Sequence, residues 1–200
     1  WQGDFHILET MFKLHPCAGT LHAAIDCVAQ IQREHKVQVE DVQEIEVGVV
    51  DWAIPHGAAI VEPTDVISAQ FSLAFSLGLH MATGAAAIDD FLNPAKWCDE
   101  RIQTVARKVR PIADPVPENA SELFARVTLT TNDGAVHEAS QVAPRGFPTL
   151  PASAEDLKEK FRSVTATILP SEQAEALIDI IDKLEEQADL AFVTEIFKSM

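Results

Sequence analysis

Two alternating stretches that meet at Asn132-Asp133-Gly134 restrict the fold of this chain more than any other feature. Over residues 123–131 and again over 135–142, apolar and polar side chains alternate, which is the period of a strand with one buried face. Asn-Asp-Gly between them supplies residues that tolerate the positive φ of a tight hairpin. An antiparallel pair is therefore expected, with an apolar face that needs cover. Residues 42–50 alternate as well, with Ile45, Val47 and Val49 opposite Glu44, Glu46 and Gly48, and residues 109–113 read as a short fourth strand. The cover is helical. Residues 20–35 carry Leu21, Ala24, Ile25, Val28 and Ile31 on one face, after Pro16, Gly19 and a candidate N-cap at Thr20. Residues 66–83, closed by Gly84, are too apolar for a surface helix and read as one central buried helix. Shorter helices are expected over 85–92 and 94–108, with a loop carrying His56 over 51–63. The fold class is α+β, a two-layer domain with a four-stranded sheet on one side and helices on the other. The pattern does not order the strands.

The composition changes near Pro144. Pro144, Pro148 and Pro151 make an extended link, and Ser153 with Asp156 opens a helix in capping-box fashion. Helices are expected over 154–168, 171–187 and 189–198. Ile178, Ile181, Leu184, Leu190, Phe192, Val193 and Ile196 give them more apolar surface than three short helices bury among themselves. At the other end, Phe5, Leu8, Met11 and Phe12 look like the tail of a helix begun upstream, and the chain opens at Trp1 without Met. The organisation expected is a tail of an upstream segment over 1–12, the α+β domain over 13–144, and a linker with C-terminal helices over 145–200, all within a longer protein.

Lys and Arg total 15 against 31 Asp and Glu, a net charge of −16. That argues against nucleic acid or an anionic membrane as partner. No run approaches the ~20 apolar residues of a membrane span. Cys17, Cys27 and Cys98 are odd in number and lack CxxC spacing, as expected for reduced cytoplasmic thiols rather than a disulfide framework, and no metal or cofactor is expected.

Chemistry concentrates in residues 13–26, K-L-H-P-C-A-G-T-L-H-A-A-I-D. A cation, two histidines and a cysteine flank a Pro/Gly break that runs into a helix. His22 falls in the first helical turn, where backbone N–H groups and the positive dipole end favour an anion and bias an imidazole toward its neutral form. The plainer alternative makes His15 and His22 packing residues and Lys13 a solvated charge. Ser68, Gln70, Ser72, Ser76 and His80 of the apolar helix need partners if buried, and backbone bonds are the ordinary answer.

This segment resembles the K-x-x-P-C…H-x-x-I-D stretch of the MmgE/PrpD family, which includes 2-methylcitrate dehydratase and cis-aconitate decarboxylase. Pro63 with Ala69-Gln70-Phe71-Ser72 resembles its second signature, and Arg145-Gly146-Phe147-Pro148 with Lys160-Phe161-Arg162 its R-G-x-P…K-F-R stretch. Phe75 stands where relatives often have Tyr, and Thr149-Leu150-Pro151 replaces their Asn-Pro; both changes bear on substrate rather than fold. The resemblance implies the lid and final helices of a metal-independent lyase, a homodimer, whose C-terminal helices return to a helical domain absent from this chain. The substrate implied is a small di- or tricarboxylic acid, dehydrated or decarboxylated in the cleft between lid and helical domain. It implies His22 for proton transfer, with His15, lacking a family counterpart, mattering less. Lys13 and Arg145 are the expected carboxylate contacts, or else ordinary surface cations. A non-catalytic acidic binding or assembly module of the same fold is the alternative.

Overall fold

The computed structural model describes residues 6–194. They divide into two compact units between Ala152 and Ser153.

The first unit is built on a mixed four-stranded sheet. Its strands are β1 (Val42–Val49), β2 (Val109–Ala113), β3 (Ala125–Thr131) and β4 (Val136–Gln141), in the order β2-β1-β3-β4. β3 and β4 form the expected antiparallel hairpin across Asn132-Asp133-Gly134. β1 pairs antiparallel with β3 and parallel with β2, so the chain between β1 and β2 is a crossover that carries several helices. The alternating side chains meet across the strands in register, Ile45 opposite Leu129 and Val47 opposite Val127, all fully buried. Such paired β-branched and aliphatic contacts are the unit of sheet stability.

Helix α1 (His22–His35) packs on β3 and β4 and on the buried helix α3 (Leu73–Thr83), which in turn packs on α6 (Glu100–Ala106). The long helix expected over 66–83 is two helices. α2 (Val66–Phe71) opens on Asp65, whose carboxylate accepts from Ser68 N at 2.6 Å. It then stops at Ser72, where ψ is 113°, and the Ser72 hydroxyl accepts from Phe75 N at 3.0 Å to cap α3. The same hydroxyl donates to the Ile60 carbonyl. A serine that can cap one helix while ending another breaks a run whose apolar pattern reads as continuous. The helix expected over 94–108 divides for the same reason. α4 (Ile88–Leu92) and α5 (Pro94–Trp97) precede Asp99, which accepts from Arg101 N at 2.9 Å and starts α6.

Thr20 does not cap α1. It lies inside a 3-10 turn, Gly19–Leu21, which feeds the helix directly, with no side-chain cap. Residues 51–63 hold two short helical turns, Asp51–Ala53 and Ile54–Ala58, in place of a plain loop. At the start of the chain His6–Glu9 is a 3-10 turn with Ile7 and Leu8 exposed, while Phe5 lies outside the described residues.

The second unit opens on the expected box, Asp156 N to Ser153 Oγ at 3.1 Å and Ser153 N to Asp156 Oδ2 at 2.8 Å. It comprises α7 (Ala154–Thr165) and α8 (Ser171–Ile181), then a 3-10 turn at Leu184–Glu186. Arg162 clasps Glu175 of α8 through two hydrogen bonds, 2.6 and 3.1 Å, and Lys158 pairs with Asp182. These pairs are exposed and hold the helices in register at modest energy. Of its apolar side chains, Ala174, Leu177 and Ile178 are buried, whereas Val164, Ile168, Ile181, Leu184, Leu190 and Val193 are exposed. The helix expected over 189–198 is helical over 191–194 and otherwise lies partly outside the described residues. Among the described residues no helix is long and apolar enough to cross a membrane.

Candidate active site

Residues 13–22 form a loop and 3-10 turn laid over the start of α1, and the other motifs fasten it there. Gln70 of α2 grips it twice: its side-chain Nε2 donates to the Pro16 carbonyl at 2.8 Å, and its own carbonyl accepts from Ala18 N at 2.9 Å. On the other side Gly146 accepts from Phe12 N at 2.9 Å. Its φ is +90°, and a Cβ there would lie 2.1 Å from the Phe12 carbonyl oxygen, so both the conformation and the approach require glycine. That contact places Arg145 over α1, where its backbone N–H and its Nε reach Asp26 at 3.4 and 3.5 Å. Residues 13–26, Gln70 and the Arg145-Gly146 part of the third motif, far apart in sequence, thus converge on one surface.

At its centre is Asp26, with 6% of its side chain exposed. His15 Nε2 lies 3.0 Å from Asp26 Oδ1 and donates to it. Burial alone would raise the Asp26 pKa, but the hydrogen bond and charge of His15, joined by Arg145, hold it below the ordinary carboxylate value. The His15 ring meets the His22 ring edge to face with centroids 5.0 Å apart. His22 has no exposed surface, its Nε2 directed at the Cys17 carbonyl 3.4 Å away and its Nδ1 without a protein partner. Its pKa is pushed down to about 3, first by burial and next by the charge of His15, with Lys13 adding to it. His80 of α3 is held down at about 4, again by burial and then by His15. The neutral state expected for His22 is therefore present, but desolvation is the cause rather than the helix dipole.

The structure brings Lys13, His22 and Arg145 to this one region. Lys13 Nζ donates to the Cys17 carbonyl at 3.4 Å, so that one oxygen faces both Lys13 and His22. Lys13 and Arg145 are exposed, and Arg145 is engaged with Asp26 rather than standing as a plain surface cation. The placement of His22 differs from the expectation of an imidazole at an open helix mouth. Thr20 and Leu21 cover the helix start, and His22 lies beneath them with no surface to offer a substrate in this unit. His15, 15% exposed, lies nearer the surface. The sequence pattern gave no role to Asp26 and ranked His15 below His22. The four-residue spacing of His22 and Asp26 on a helix puts both on one face, and that was the readable signal. Cys27, beneath the site, has its thiol pushed up to about 12 by burial and then by Asp26, which makes it an inert packing residue.

Residues 15–186 match the model of the MmgE/PrpD C-terminal domain. The cis-aconitate decarboxylase-like protein oryM of Aspergillus oryzae is 22% identical over 187 residues, 90% of this chain and 38% of that protein. Mouse cis-aconitate decarboxylase is 29% identical over 82 residues, 41% of this chain and 17% of that enzyme. The human enzyme is 33% identical over 76 residues, 38% and 16% of the respective chains. The chain thus spans well under half the length of the curated relatives it matches.

Proposed function

This chain belongs to the MmgE/PrpD family, and we propose that it is the lid-bearing C-terminal part of a metal-independent lyase that decarboxylates a small tricarboxylic acid of the cis-aconitate type. The observation that carries this reading is the convergence of the three motifs on one cluster of cations and imidazoles, in a chain whose net charge is −16. An acidic protein repels an acidic substrate at long range, so binding needs cations concentrated at one place. Lys13 and Arg145 are that concentration and would hold substrate carboxylates. His22 contributes as a neutral, buried imidazole that packs against His15 and shares the Cys17 carbonyl with Lys13, a positioning role.

Loss of carbon dioxide is preferred to loss of water because the three relatives carry names of cis-aconitate decarboxylases or proteins like them. The remaining acid–base groups belong to a helical domain outside this chain, onto which the exposed apolar residues of α7 and α8 dock. The same reading makes the complete protein a cytoplasmic homodimer. The test is turnover of the complete protein with cis-aconitate, citrate and 2-methylcitrate. Carbon dioxide released in proportion to cis-aconitate consumed is the expected result. Loss of water from citrate or 2-methylcitrate instead would make it a hydro-lyase, and binding without turnover would leave a non-catalytic module.

A further inference from the structure

Three imidazoles surround Asp26, and they differ in what they can do. His22 and His80 are neutral, each with an Nδ1 that has no protein partner. A neutral imidazole has no spare proton to give. His15 alone of the three is hydrogen-bonded to a carboxylate, and 15% of its side chain is exposed. Asp26 against Nε2 fixes the ring and leaves Nδ1 as the nitrogen for exchange with a substrate. Arg145 steadies Asp26 with two contacts, its Nε reaching the same Oδ1 that His15 bonds and its backbone N–H reaching Oδ2.

We propose that His15 is the proton donor to the carbon that loses its carboxylate, with Asp26 as its positioning residue. This rests on the decarboxylase reading above. In the step, the bond between the carboxylate carbon and the skeleton breaks and carbon dioxide leaves. The electron pair remains on the skeleton, spread into the adjoining double bond and carboxylate. His15 Nδ1–H supplies the proton for the new C–H bond and ends neutral, and solvent water returns a proton to it. Lys13 and Arg145 on the remaining carboxylates stabilise the developing charge. The charged and titratable groups that interact with His15 are His22 and Asp26 from α1 and His80 from α3, with Lys13 acting on His22 and Arg145 on Asp26.

The experiment uses the complete protein with cis-aconitate. His15→Gln should lower kcat by about 10²- to 10⁴-fold, the usual worth of one placed acid, with KM within a few-fold. Asp26→Asn, nearly the same shape, should lower kcat by less than His15→Gln does, again with KM within a few-fold. A purely structural Asp26 would change the melting temperature and leave kcat per folded molecule in place. A second measurement needs no variant: the His15 ring resonance of the wild-type protein should shift on adding tricarballylate, an unreactive tricarboxylate. His137, stacked on His35 at the far end of α1, should not respond. Wild-type turnover with a folded His15→Gln enzyme within a few-fold of it overturns the assignment alone, as does a silent His15 resonance. No wild-type turnover with any acid overturns the decarboxylase reading and this step with it.

Discussion

Replacing Gly146 by Ala tests whether the Arg145-Gly146 turn holds the site together. Gly146 has φ +90°, where an L side chain costs about 1–2 kcal/mol. Its new Cβ would also lie 2.1 Å from the Phe12 carbonyl oxygen and 3.1 Å from the carbonyl carbon. Backbone cannot rotate aside as a side-chain tip can, so one strand of this contact must move. The Phe12 N to Gly146 O bond of 2.9 Å goes with it, at about 1 kcal/mol. The expected loss is roughly 2–4 kcal/mol in urea unfolding of the chain. Gly84→Ala is the control. It has φ +77°, but nothing lies within 4 Å of its Cβ position, so only the conformational cost of about 1–2 kcal/mol applies. In the complete protein, Gly146→Ala should also cut kcat/KM, because Arg145 N–H leaves Asp26, and Gly84→Ala should not. Equal destabilisation by the two substitutions, with kcat/KM unchanged, would refute the reasoning.

Stability should fall on mild acidification: His22 at about 3 and His80 at about 4 lie below the ordinary 6.5, so between pH 6.5 and about 4 the unfolded chain binds protons that the folded one does not. Each contributes up to about 1.4 kcal/mol per pH unit, and Asp26, also lowered, adds loss of the same sign only below its ordinary 3.8; a denaturation midpoint unchanged from pH 7 to 5 would contradict this. For the apolar residues of the second unit, exposed patches beyond a few hundred Å² are seldom left in water, so this 200-residue chain should self-associate in sedimentation or bind a hydrophobic dye. A compact monomer without dye binding would count against their docking role.

The fold was legible wherever one periodic signal acted alone. The β3–β4 hairpin, β1 and β2 follow from alternation, and the Ser153–Asp156 box from its spacing. The pattern failed where a polar side chain chose between two backbone roles. Ser72 looks like one polar residue in an apolar helix, but its hydroxyl caps α3 while the backbone turns. Strand order was not legible because β2 reaches β1 only after a crossover through several helices, and no local pattern records such pairing. The site was legible as a stretch but not as a geometry. The motifs marked residues 13–26 as a unit and the helix dipole pointed to a neutral His22, yet burial sets that state and also removes His22 from the surface.

That difference follows from where the loop is fastened. Gln70 and Gly146 hold residues 12–18 from two sides, and Leu21 seals the start of α1 beneath them. A histidine under that seal is desolvated and stays neutral, while one in the fastened loop itself keeps partial access to water and can meet a carboxylate. Asp26 points up from α1 into the same place, and its cost of burial is offset by His15 and Arg145. Remove either partner and an incompletely paired buried carboxylate remains, which is strongly destabilising compared with loss of an exposed ion pair. The three motifs are therefore coupled through Asp26: the first supplies His15, the third supplies Arg145, and the second fixes the loop so that both reach its carboxylate. A sequence that kept Lys13 and His22 but lost Gly146 would keep the residues and lose the arrangement.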